Sequence, residues 1–168
     1  KLMTSADVLA SFQRYQRIGL DRAVLEPVVS MEAPDAGTFV MTLNAPFATF
    51  MESLSSITVP IVIVPSENAG APPQQLPGVG LGPWEIEEYV PNSHVKLKRF
   101  DGYVPDTRYD DRDGFGGYKV ACLDSVTFRM VTEPGARVAG LQTGELAAVQ
   151  DVPVLAQKRL KEDKNIRL

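Results

Sequence analysis

Val8, Leu9, Phe12, Tyr15 and Ile18 recur at helical spacing and predict an amphipathic helix over residues 5–18. Thr4 to Asp7 reads as a capping box with Asp in place of Glu, and Gly19 stands where a C′ residue would end the helix. Residues 20–25 add a short helical turn before Pro27. A short strand is expected over 28–31, and Asp35-Ala36-Gly37 signals a turn. Residues 38–43 alternate, with Phe39, Met41 and Leu43 on one face of a strand. Asn44 or Ala45 is placed to cap a second helix with Pro46 in its first position, and Phe47, Phe50, Met51 and Leu54 form its apolar stripe. Residues 57–64 are apolar and β-branched, which reads as a buried strand with Pro60 at an edge or crossing point.

The texture changes at residues 65–82, which are crowded with Gly, Pro, Gln and Asn and carry no period. They read as a linker. Alternation then resumes. Trp84 and Ile86 share a strand face, Pro91-Asn92 turns the chain, and Val95 and Leu97 face inward from a second strand while Lys96 and Lys98 face water. Residues 101–119 are a polar, glycine-rich loop. Val126, Phe128 and Met130 face inward from a strand over 125–131. Thr132 is placed to cap a helix with Pro134 in its first turn, Val138 and Leu141 inward and Gly144 at its end. A short strand over 146–149 and a last helix over 153–163 complete the chain. The expected core gathers Trp84, Val95, Leu97, Val126, Phe128 and Leu141, and the fold class is α/β in a mixed α+β layout.

Composition narrows the function. The 168 residues are 44% hydrophobic and 23% charged, with a net charge of −4, so nothing marks a nucleic-acid partner. The longest apolar run is too short for a membrane span. A single cysteine, Cys122, excludes an intrachain disulfide and a cysteine zinc cluster. The single histidine, His94, is the one available imidazole base, and its place after a turn suits a solvent-facing strand residue.

Other motifs fail on context. Gly78-Val79-Gly80-Leu81-Gly82 looks like a dinucleotide loop, but Pro83 and a period-two strand follow it where a helix is required. Asp110 to Gly114 suggests calcium, yet Tyr109 and Val120 stand where an EF-hand needs ligands. Gly114 to Lys119 lacks P-loop spacing. Glu85, Glu87 and Glu88 cluster without a visible opposing carboxylate. No catalytic residue, metal ligand or cofactor site is expected.

Six blocks in order nevertheless resemble the extracytoplasmic solute-binding proteins of ABC importers, in the oligopeptide, dipeptide and nickel-binding family 5. They are MTSADVLASFQRY, DAGTFVMTLNAPFATFMESLS, GLGPW, VKLKRFDGYV, LDSVTFRMV and ARVAGLQTGELAAV. Two departures are a long loop over 104–122 and Ala147 where the family often has Asp. The resemblance implies part of a two-lobed fold, periplasmic binding protein-like II, with 1–64 in the peripheral lobe, 65–82 as linker and 83–168 in the main lobe. It implies no enzyme, but a receptor for a peptide or similar small ligand that hands its cargo to ABC permease subunits in the membrane. The protein would be exported to the periplasm, and the chain would be an internal piece lacking most of the ligand site. An N-terminus without a leader pattern suits a piece from inside a longer protein. Ser56 and Thr58, where the chain leaves the small lobe, are the candidate ligand-binding residues. The alternative is an interaction or sensor domain that reuses the same fold.

Overall fold

A computed structural model describes residues 1–56, 61–113 and 116–167. The chain divides into two compact units, one of residues 1–86 and 99–122, the other of residues 87–98 and 123–168. Helix and strand are mixed throughout, in the expected class.

In the first unit, helix α1 runs Ser5–Ile18. Asp7 supplies the acidic half of the expected cap, since its Oδ2 accepts the Thr4 N–H at 2.9 Å. Strands β1 (Val28–Asp35) and β2 (Thr38–Leu43) form an antiparallel hairpin. Its turn is fixed by Asp35 Oδ1, which accepts the Gly37 N–H at 2.9 Å. The alternation of β2 is as expected: Phe39, Met41 and Leu43 are half-buried and their neighbours exposed. Phe12 of α1 meets Phe39 of β2 with ring centroids 5.2 Å apart. Leu25, in a 3₁₀ turn over Arg22–Leu25, joins Val28 and Phe50 as the buried core, and Phe12, Tyr15, Met31, Met41, Leu43 and Leu54 pack around them.

Helix α2 is shorter than its apolar stripe predicts. It spans Phe50–Ser55 with Thr49, not Asn44 or Ala45, at its N-cap. Pro46 and Phe47 precede it in irregular backbone, where the Phe47 carbonyl accepts the Phe50 N–H at 3.1 Å. One and a half turns can bury one flank, so Phe50 is buried while Met51 is 73% exposed. Of the expected strand over 57–64, residues 57–60 lie outside the described residues, and 61–64 follow an irregular path with Val64 buried.

The remaining strands are β3 (Trp84–Val90), β4 (His94–Arg99), a short ladder of β5 (Arg112–Asp113) with β6 (Gly116–Gly117), and β7 (Ser125–Arg129). One sheet has the order β3-β4-β7, with Val95 opposite Phe128 and Leu97 opposite Val126. The expected faces are formed only in part: Lys96 is half-buried like Val95 and Leu97, Ile86 and Met130 are exposed, and none of the six expected core residues is buried. Val95, Leu97, Val126, Leu141 and Trp84 are half-buried, and Phe128 is 60% exposed. For Phe128 the strand order is one reason. Among the described residues β7 pairs on one side alone, so its side chains have one neighbouring strand to pack against. Phe128→Ala should therefore cost below about 1.5 kcal/mol, not the 3–5 kcal/mol or so of a fully buried ring. A urea titration of the variant checks this.

Helix α3 spans Pro134–Thr143 and is capped by Glu133 in place of Thr132: Glu133 Oε2 accepts the Ala136 N–H at 2.6 Å. Gly144 ends it in the left-handed conformation, φ 76°. The strand expected over 146–149 does not form. The Leu146 N–H returns to the Gly140 carbonyl at 3.0 Å and its side chain lies over Gly140, so this segment closes the helix instead of pairing. Helix α4 (Val154–Lys161) buries Leu160 completely.

Candidate functional site

A dense polar constellation in the first unit is on the face of α1 that sequence periodicity assigns to water. Asp7, Ser11 and Arg14 are spaced i, i+4 and i+7, so they form one stripe, and all three are buried. They face residues 64–71. Ser11 Oγ accepts the Val64 N–H at 2.9 Å and lies 3.3 Å from the Val64 carbonyl oxygen. Asp7 Oδ1 accepts the Ser66 N–H at 2.8 Å. The Arg14 guanidinium donates to the carbonyls of Ala69, at 2.8 Å, and Ala71. Lys1 Nζ pairs with Asp7 at 2.7 Å and also with Glu67. Burying these charges is tolerable because each meets partners of opposite polarity.

The ammonium of Lys1 and the amides of Ser66 and Thr4 hold the Asp7 carboxyl well below the usual carboxylate range. A depressed carboxylate contributes stability that is complete above its unfolded value near 3.9 and is lost as pH falls toward the folded value. Glu67, lowered by the same lysine, and Asp35, lowered by the Gly37 amide, act in the same acidic window. Asp7→Asn should therefore flatten the decline of the urea midpoint between about pH 5 and 2 relative to wild type. Parallel declines in the two proteins would contradict the role given to Asp7.

Beside this network lies a cavity of about 120 Å³. Its walls are mostly apolar, formed by Leu2, Met3, Val64, Pro65, Val79 and Leu81, with Asp7 and Lys1 at the polar side. The volume suits a small aliphatic group and not a peptide, whose pocket would be several-fold larger.

The two residues named from the sequence are placed differently. Ser56 is half-buried at the C-terminal end of α2, and its N–H lies 3.4 Å from the Ser53 carbonyl oxygen. Thr58 lies outside the described residues. His94 is half-buried at the start of β4, between Ser93 Oγ at 2.9 Å and Glu88 Oε2 at 3.1 Å. Lys96, expected to point into water, is half-buried and pairs with Glu87 at 2.9 Å. Glu87 and Glu88 are thus engaged by the neighbouring strand. Among the described residues no three His, Cys, Asp or Glu side chains gather as metal ligands, and no helix is long and apolar enough to cross a membrane.

Sequence reasoning missed the stripe of α1, although Asp7-x-x-x-Ser11-x-x-Arg14 was visible as a regular row. The missing signal was the segment that covers it.

Comparison with known proteins places the chain. Residues 1–168 match the family described as bacterial extracellular solute-binding proteins, family 5 Middle. The probable peptide ABC transporter periplasmic-binding protein y4tO of Sinorhizobium fredii is 29% identical over 173 residues, 99% of this chain and 32% of its own length. The glutathione-binding protein GsiB of Escherichia coli K12 is 32% identical over 84% of this chain and 25% of its own. Both relatives are named as binding proteins, the first as that of a peptide ABC transporter. The chain thus spans a quarter to a third of the curated relatives it matches.

Solved structures agree. AgaA from A. tumefaciens R10, in complex with agropinic acid, superposes with a TM-score of 0.77 at 25% identity, over 96% of this chain and 31% of that one. A nickel ABC transporter protein from Bacillus halodurans gives 0.72 at 26%, over 98% and 30%. The expected periplasmic binding protein type II fold is the fold these neighbours share with it. Along its whole length, the chain belongs to the bacterial extracellular solute-binding proteins of family 5.

Proposed function

We propose that this chain is the middle portion of a receptor that captures a peptide or similar small ligand outside the cytoplasm and delivers it to ABC permease subunits. The observation that carries the reading is the family match over residues 1–168. The cargoes named for its relatives and neighbours, glutathione, agropinic acid and nickel, are small and polar, and they support a solute of that class. In this reading the protein is exported to the periplasm and acts by enclosure, without catalysis. Residues 1–64 belong to a peripheral lobe, 65–82 to the connection and 83–168 to a main lobe. Ser56 and Thr58 are the candidate ligand-binding residues of this chain.

Enclosure has a consequence for the chain by itself. A ligand pocket covers most of its ligand's surface, and one wall of it does not offset the cost of immobilising a flexible peptide. Calorimetry with glutathione and a library of short peptides should show no micromolar binding to the 168 residues, and binding to the longer gene product that contains them. Micromolar binding to the 168 residues would place recognition here, with Ser56→Ala and Thr58→Ala as the first variants to measure. A longer product that binds no small solute would overturn the receptor reading.

A further inference from the structure

We propose that residues 64–71 form a strap that opens as a unit of its own, held shut by the Asp7–Ser11–Arg14 stripe of α1 and setting the width of the adjacent cavity.

The argument is a contrast in how two parts of the same unit are held. The hairpin β1–β2 is fixed to α1 by apolar burial around Leu25, Val28 and Phe50. The strap buries two apolar side chains, Val64 and Ala69, and is otherwise attached by the Lys1–Glu67 ion pair and by hydrogen bonds. Those bonds run between strap backbone and α1 side chains: Val64 to Ser11, Ser66 to Asp7, Ala69 and Ala71 to Arg14, with Arg17 Nη2 a further 3.4 Å donor to the Ala69 carbonyl. Backbone groups, an aspartate and an arginine all regain good solvation when exposed, so the net contribution of each bond is small beside its gross strength. Apolar core contacts have no such alternative. Segments held this way belong to the low end of the local opening spectrum.

The C-terminal flank favours separate opening. Beyond Ala71 the chain is Pro- and Gly-rich, and its one regular piece before β3 is the 3₁₀ turn Pro73–Gln75. Val64 and Pro65 belong to both the strap and the cavity wall, and Asp7 belongs to both the latch and the wall. Lifting the strap therefore carries one wall away from Leu2, Met3, Val79 and Leu81. The device needs no assumption about cargo and stands independently of the receptor reading.

Native-state hydrogen exchange tests it, on wild type, Ser11→Ala, Arg14→Ala and Arg14→Lys. The decisive amides are those that the substitution does not itself contact: Ser66 in S11A, and Val64 and Ser66 in R14A. Each should exchange at least about tenfold faster, because the lost bonds and the polar groups left without them loosen the whole strap. The β1–β2 ladder should stay within about twofold of wild type, and R14K should fall between, since an ammonium cannot span two carbonyls as a guanidinium does. Acceleration of strap and ladder together would mean one cooperative unit and overturn the proposal. So would unchanged strap amides. If R14A fails to fold, the milder S11A decides between these outcomes.

Discussion

Leu25→Ala is expected to destabilise the first unit by about 2–5 kcal/mol. Leu25 is 0% exposed and sits between the end of α1 and the start of β1, where Val28 and Phe50 close over it. Truncation removes three carbon atoms from contact and leaves a void. The void cannot collapse cheaply, because its walls belong to different elements: the 3₁₀ turn that carries Leu25, strand β1 and helix α2. The hairpin register holds Val28 opposite Leu43, which fixes one wall, and Phe50 is fixed by the short helix it starts. The variant should show a lower urea midpoint with an unchanged slope, and weaker protection in both α1 and β1–β2. A loss below about 1 kcal/mol would mean that the site relaxes and that the core is elsewhere.

Leu25 also marks what could be read in the sequence. Where one stripe or one strand face is apolar and the other polar, period alone identifies the element: α1, β2, β4 and α3 all stand where their patterns put them. The end signals of α3 are legible too, since Gly144 stops it in the conformation glycine favours. Depth is less legible than identity. Phe128 and Leu25 are both apolar residues in regular surroundings, yet one is on an edge strand and the other under a helix. Which strand ends at an edge is a property of the whole sheet order, and no local window contains it.

The candidate site was illegible for a related reason. Asp7, Ser11 and Arg14 are polar and regularly spaced, so period assigns them to water. They are buried because the backbone of residues 64–71, more than 50 positions away along the chain, presents carbonyls and amides to them. Backbone polarity does not depend on side-chain identity, so a segment such as Ser66 to Ala71 reads as featureless linker and yet supplies a full set of partners. Ser56 and Thr58 were named from resemblance to a family, and local pattern adds nothing to that naming.

Gly19→Ala should destabilise by about 1–3 kcal/mol, although its backbone geometry alone predicts the opposite sign. Gly19 stands at the C-cap of α1 with φ −63° and ψ 145°, an extended conformation open to any residue. In open space alanine there would stabilise by about 0.4–1 kcal/mol, through a less disordered unfolded chain. The space is not open. A Cβ on Gly19 would lie 2.6 Å from the Tyr15 carbonyl oxygen and 2.8 Å from two atoms of its ring. That carbonyl already accepts the Gly19 N–H at 2.7 Å, so it cannot move away without breaking the bond that ends the helix. The Tyr15 ring packs against the buried core and cannot swing aside freely. Glycine is therefore required by a close approach and not by a left-handed turn, which is the reason its place in the sequence suggests. Gly70 is the matched control, with no atom within 4 Å of its would-be Cβ and no positive φ. Gly70→Ala should leave stability unchanged or raise it by up to about 1 kcal/mol. Paired urea titrations read both, and equal effects of the same sign would refute the steric account.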